Sequence, residues 1–136
     1  MTGATGYSDI PLPRKLGVNA ESRLLLDGAP PGFTVSPLPS GVTVHTRPGA
    51  EPYDVVLTFC PDRGRLQRRF TPLSRRLTTA GALWVCWPKR ASGVPTDVDE
   101  NIVRACGIAA GLVDVKVCAV DAVWSGLKFV VRLKDR

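Results

Sequence analysis

The stretch Leu112-Val113-Asp114-Val115-Lys116-Val117-Cys118-Ala119-Val120, the link Asp121-Ala122-Val123-Trp124-Ser125-Gly126 and the stretch Leu127-Lys128-Phe129-Val130-Val131-Arg132-Leu133 together decide the fold. Both outer runs are short, apolar and rich in β-branched residues, the pattern of strands. Parallel strands need a crossover of a dozen or more residues, and this link is far shorter. The two runs are therefore antiparallel neighbours, and the sequence ends in a hairpin.

Toward the N-terminus, strands and helices alternate. Thr96-Asp97-Val98-Asp99 has the spacing of a capping box and predicts a helix with Val98, Ile102, Val103 and Cys106 on its buried face, ended by Gly111. Pro88 to Pro95 reads as a loop. Ala82-Leu83-Trp84-Val85-Cys86-Trp87 is apolar throughout, as in strands covered on both faces of a parallel sheet. Before it, Asp62 is an N-cap candidate, and Leu66, Phe70, Leu73 and Leu77 recur at helical spacing. Pro72 breaks that pattern. With Thr71 as a fresh cap it predicts two short helices in series, after which Gly81 resets the chain.

Tyr53 to Phe59, Gly41 to His45 and Arg23 to Asp27 read as strands, Arg47 to Pro52 as a loop, and Pro11 to Gly17 as a short helix. Between Gly28 and Gly41 stand Pro30, Pro31, Pro37 and Pro39, which exclude a helix longer than about one turn. The order predicts a single three-layer α/β domain of about six strands, mostly parallel, closed by the antiparallel hairpin. Its expected limits are 12–136, with 1–11 as a Gly, Ser and Thr-rich flexible lead-in.

The chain has 136 residues, room for one core and one modest pocket. No basic start leads into an apolar block, and no apolar run reaches the ~18 residues of a spanning helix, so the expected location is the cytoplasm, without a membrane partner. Cys60, Cys86, Cys106 and Cys118 are far apart in apolar stretches, with no C-x-x-C pair. They read as four reduced, buried thiols, and with one histidine no zinc site is expected. The net charge is +6, and Arg63, Arg65, Arg68, Arg69, Arg75 and Arg76 crowd one short segment. Opposite the Leu/Phe stripe, they read as a solvated face. No aromatic residues interleave with them for base stacking, so nucleic acid is an unlikely partner.

The element order resembles the Rossmann-like fold of S-adenosylmethionine-dependent methyltransferases, in which the last strand is likewise inserted beside an earlier one. Leu24-Leu25-Leu26-Asp27-Gly28 is similar to the strand and turn that meet the cofactor there, and Leu77-Thr78-Thr79-Ala80-Gly81-Ala82-Leu83 to a glycine-rich turn of that family. More closely, nearly the whole chain resembles the bacterial "domain of unknown function 3052" family. The segments that carry this are Thr5-Gly6-Tyr7-Ser8, Asp27-Gly28-Ala29-Pro30-Pro31-Gly32-Phe33, Trp87-Pro88-Lys89-Arg90-Ala91-Ser92-Gly93-Val94, Gly111-Leu112-Val113-Asp114, Lys116-Val117-Cys118-Ala119-Val120-Asp121 and Trp124-Ser125-Gly126-Leu127. That resemblance implies no activity and no catalytic residue.

Tested against a cofactor site, the residues depart from the methyltransferase pattern. Pro30 and Pro31 remove two donors from the turn that would cradle a ligand, and no helix follows it. The second strand ends Val44-His45-Thr46-Arg47, without a carboxylate for ribose hydroxyls before Glu51. Asp62 is the polar group after the third strand, where it also serves as a cap.

In open α/β sheets ligands bind beyond the carboxyl ends of the parallel strands. The candidate ligand-binding residues are therefore Asp27, Gly28, Pro31, Gly32, His45, Cys60, Asp62, Trp87, Lys89, Ser92 and Trp124. Lys89 with Ser92 suits a small anion. Trp87 and Trp124 adjoin turns and suit a pocket wall or a protein surface. No catalytic residue and no cofactor is assigned. The expectation is a small-ligand-binding or protein-interaction module, monomer or homodimer, that has lost S-adenosylmethionine binding. A small enzyme using the same edge, including a Cys60–His45 nucleophile pair, and weak nucleic-acid binding through the arginines stay open.

Overall fold

The computed structural model describes residues 10–136; the segment Thr5 to Ser8 and most of the expected lead-in lie outside them. The elements run α1 (Leu12–Leu16), β1 (Arg23–Asp27), β2 (Thr43–His45), β3 (Tyr53–Phe59), α2 (Arg63–Ser74), β4 (Leu77–Pro88), α3 (Glu100–Ala109), β5 (Leu112–Ala119) and β6 (Trp124–Val131), with short 3-10 turns at Arg90–Ser92 and Leu133–Asp135. They build one six-stranded sheet in the order β2-β1-β3-β4-β6-β5. The pairs β1–β2, β1–β3 and β3–β4 are parallel, and β4–β6 and β5–β6 antiparallel. The mixed α/β sheet with its closing hairpin is thus as the sequence predicts.

Each face of the sheet has its own core. On the first, Leu66, Phe70 and Leu73 of α2, Val103 of α3 and Val98 just before it pack on Leu25, Val56, Leu83, Val85 and Phe129. On the second, Leu16 and Val18 at α1, with Val35 of the 28–42 segment, pack on Leu24, Leu57, Phe59 and Trp84. The prolines after β1 are the reason this second layer is mostly irregular chain: a segment that cannot form a helix covers the sheet with single anchors such as Phe33 and Val35 instead.

Several local expectations are corrected. α2 is one helix that runs through Pro72 rather than two in series. Pro72 falls in the last turn, and the hydrophobic anchors Phe70 and Leu73 beside it are buried against the sheet. Leu77 does not end the helical stripe but opens β4, and Gly81 lies inside that strand. The register shifts there, from Tyr53 opposite Leu77 to Val55 opposite Ala82, and a Cβ on Gly81 would stand 2.9 Å from the Tyr53 carbonyl oxygen. Glycine permits that close backbone approach.

The capping residue of α3 is Asp99, which accepts from Ile102 N at 2.9 Å, while Thr96 Oγ1 accepts from Val98 N and donates to the Pro61 carbonyl. The hydroxyl thus ties the α3 approach to the end of β3 instead of starting the helix. The hairpin link is also tighter than expected: β6 begins at Trp124 because Asp121 Oδ1 accepts from both Val123 N and Trp124 N at 2.8 Å. Cys60 and Cys86 are buried as expected, but Cys106 and Cys118 are only half-buried, and all four are free thiols.

Candidate functional site

In this sheet β1 leads to β2 on one side and, through it, to β3 on the other, so the strand order reverses between β1 and β3. The crevice beyond the carboxyl ends of those two strands is where an open α/β sheet ordinarily takes its ligand. Its walls are Asp27 and Thr58, which face each other in register.

Asp27 is buried, with only 7% of its surface exposed. A carboxylate so placed needs partners, and it has four donors. Thr58 Oγ1 donates to its Oδ2 at 2.7 Å and Arg65 Nη2 to the same oxygen at 2.8 Å. Arg69 donates Nε to Oδ2 at 3.2 Å and Nη2 to Oδ1 at 3.0 Å. Arg65 also donates Nε to the Phe59 carbonyl at 2.8 Å. One guanidinium thus spans the crevice from the end of β1 to the end of β3.

Gly28 explains how it fits. The residue sits at φ +72°, and a Cβ there would lie 2.3 Å from Arg65 Nη2. The glycine that makes room at the turn makes it for the chain's own arginine. Arg65 and Arg69 are one helical turn apart on α2, so both reach the same carboxylate. Sequence reading placed all six arginines on a solvated face, and these two are corrected: they turn inward to neutralise Asp27. The signal was present in an i, i+4 pair flanking Leu66 and Phe70, downstream of a strand that pairs with one ending in a carboxylate.

The remaining candidates divide. Asp62 caps α2, accepting from Arg65 N at 2.8 Å. Pro31 and Gly32 are exposed, in a turn closed by Phe33 N donating to the Pro30 carbonyl. That turn aims Phe33 at Phe59, ring centroids 4.8 Å apart and edge to face, and Trp124 also meets Phe59 edge to face at 5.1 Å. Trp124 is therefore half-buried in an aromatic row at the strand ends.

His45 does not reach Cys60. It stands in register with Leu25, and its Nδ1 shares a hydrogen bond with the hydroxyl of Tyr53, at the opposite end of β3 from Cys60. Tyr53 in turn accepts from Gly49 N at 2.7 Å. Cys60 is 0% exposed, and burial pushes its thiol up to about 11. A thiol so held is not a nucleophile at neutral pH. The thiol–imidazole pair that the sequence left open is not formed in this geometry.

Beyond β4 the loop 88–99 encloses a cleft of about 470 Å³, lined by Trp87, Pro88, Arg90, Val94, Asp97 and Val98 among others. Trp87 is the site candidate that lines it. Ser92 lies off the cleft: its hydroxyl donates to the Lys89 carbonyl at 2.6 Å and accepts from Val94 N, which folds the loop. Lys89 anchors the loop to the hairpin through its N–H, which donates to the Val123 carbonyl at 2.7 Å. Arg90, not Lys89, is the cation on the cleft wall. Among the described residues no three metal-ligating side chains gather, and no helix is long and apolar enough to cross a membrane.

The sequence matches no family model and no curated protein. Solved structures do match. The TehB-like S-adenosylmethionine-dependent methyltransferase of Corynebacterium glutamicum superposes with a TM-score of 0.59 at 10% identity, over 96% of this chain and 92% of that one. The N-methyltransferase NodS of Bradyrhizobium japonicum superposes with a TM-score of 0.55 at 14% identity, over 90% and 98%. The magnesium protoporphyrin IX methyltransferase of Synechocystis, solved with bound S-adenosylmethionine, gives 0.54 at 8% identity, over 89% and 74%. At these identities the likeness is one of fold: the chain has the Rossmann-like, methyltransferase-like α/β scaffold.

Proposed function

We propose that this chain is a non-catalytic module on a methyltransferase-like scaffold, one that has lost S-adenosylmethionine binding and takes a small anionic ligand or a protein at its strand-end edge. The observation that carries the reading is the Arg65 guanidinium spanning the crevice from Asp27 to Phe59. The residues present do not fit the cofactor. The space over Gly28 is taken, the Asp27 charge is already satisfied by two arginines, and β2 ends in His45-Thr46-Arg47 with no carboxylate for a ribose. The cleft beyond β4, with Trp87 and Arg90 on its wall, is the space left for a small ligand. A cytoplasmic location and membership in the "domain of unknown function 3052" family belong to the same reading, the second resting on the segments quoted above.

Calorimetry with S-adenosylmethionine and S-adenosylhomocysteine tests it. The expected result is no heat of binding from either; micromolar binding of either one overturns the reading. The superposition on methyltransferases favours a second reading, a divergent methyltransferase, and the same titration decides between the two.

A further inference from the structure

We propose that the second face of the β5–β6 hairpin, around Lys116 and Lys128, docks an acidic segment of a partner protein. This surface lies apart from the strand-end crevice and cleft, and the proposal stands independently of them.

The sheet register sets three rows of side chains on that face. Trp84, Lys128 and Lys116 form one, Ala82, Val130 and Val113 the next, and Cys86, Gly126 and Cys118 the third. α1 covers the β4 end of the middle row, where Trp84 Nε1 donates to the Leu16 carbonyl at 3.0 Å. α3 packs on the other face, through Val103 and through Gly107 against Phe129. Among the described residues no helix covers the β5 side, so Lys116 is exposed and Val113 is 39% exposed.

Lys116 and Lys128 are direct cross-strand neighbours, a pairing that like charges destabilise. Among the described residues neither has a carboxylate in ion-pair range. Lys128 is half-buried, and desolvation, with Lys116 adding to it, pulls its ammonium below the ordinary lysine range. Lys15 brings a third ammonium to this side, donating to the Ala119 carbonyl at 2.8 Å. A fold that leaves lysines opposed and unneutralised on an open face is relieved by an anionic partner.

The chemistry of the surroundings chooses among partners. The large apolar group exposed on this face of the hairpin is Val113, with Val115 at the irregularity beside it, whereas Val117, opposite Leu127, belongs to the first face. The aromatic residues Trp84 and Trp124 on this face are packed into its core, so neither is presented for stacking bases. A second copy paired along β5 would bring four lysines together. It would supply no free carboxylate, because Asp114 faces the first side and is held by Arg104 Nε at 2.8 Å. The irregularity in β5 between Asp114 and Lys116 also interrupts the edge that such pairing needs. An acidic polypeptide segment with aliphatic side chains meets both the lysines and the valines.

The test is fluorescence anisotropy of a labelled deca-glutamate peptide with the full chain in low-salt buffer, where surface charge is least screened. Saturable binding is expected, weakened about tenfold by Lys116→Gln with Lys128→Gln and about threefold by Lys116→Gln alone, which is exposed and leaves the fold intact. Arg63→Gln with Arg68→Gln removes the same charge from α2 and is expected to change the affinity by less than about twofold. No binding, or equal weakening by both double variants, overturns the proposal. So does an oligothymidylate of equal charge that binds as tightly, or a dimer in sedimentation velocity that Lys116→Gln dissociates.

Discussion

Arg65 lies on Asp27, its Nη2 donating to the carboxylate at 2.8 Å while its Nε holds the Phe59 carbonyl, so a single side chain joins the ends of β1 and β3. It shares with Arg69 and Thr58 the neutralisation of a carboxylate that folding buries. The arginine also takes the volume over Gly28. One interaction therefore serves stability and closes the crevice.

Asp27→Ala is expected to destabilise the fold by about 2–3 kcal/mol, read as a lower urea midpoint. Removing one partner of a fully buried pair costs about 3–5 kcal/mol; here the arginine side chains remain 26% and 29% exposed, and water recovers part of the loss. A change within about 0.5 kcal/mol would show that the cluster is solvated and contributes nothing.

Gly28→Ala is expected to cost about 1–2 kcal/mol, because it imposes both a positive φ on an alanine and a clash with Arg65. Combining it with Arg65→Ala separates the two. The clash disappears in the double variant and the backbone cost stays, so the effects of the single changes should not add.

Gly107→Ala sets two effects against each other. In a helix interior, alanine gains about 1 kcal/mol over glycine. Here the added Cβ would stand 2.0 Å from Phe129 Cε1, a fully buried ring at the α3–β6 contact, and overpacking costs about 1–3 kcal/mol. Net destabilisation is expected, seen as a lower Tm. Phe129→Leu in the same chain should recover part of it.

Cys60 makes stability depend on alkaline pH. Its folded value is raised by burial from the ordinary 9.0 to about 11, so between those values the unfolded chain binds fewer protons than the folded one. The stability it contributes is complete below pH 9 and is lost as pH rises toward 11. The difference in unfolding free energy between the parent and Cys60→Ala should therefore shrink across that window. In the native protein at pH 8, a thiol reagent should spare Cys60 and Cys86 and label Cys106 and Cys118, the two half-buried thiols.

The sequence by itself determined the sheet. The closing hairpin followed from link length, the parallel strands from their apolar runs, and the irregular cover between Gly28 and Gly41 from proline chemistry. These are local constraints, carried by neighbours in the chain. It determined helix ends less well: Pro72 was absorbed because Phe70 and Leu73 on either side are anchored in the core, and a packed helix outweighs one proline in its last turn.

The candidate site was legible as an edge but not as a set of contacts. Asp27, Gly28 and Trp87 were found from strand ends, whereas Arg65 and Arg69 were hidden among six similar arginines. What selects them is a carboxylate 38 and 42 residues away along the chain, brought opposite only when β1 and β3 pair. His45 and Cys60 share a sheet edge in sequence logic, yet Tyr53 draws the imidazole to the other end of β3. Strand order is written in local patterns; which charge meets which is decided across strands, by the need to neutralise what folding buries.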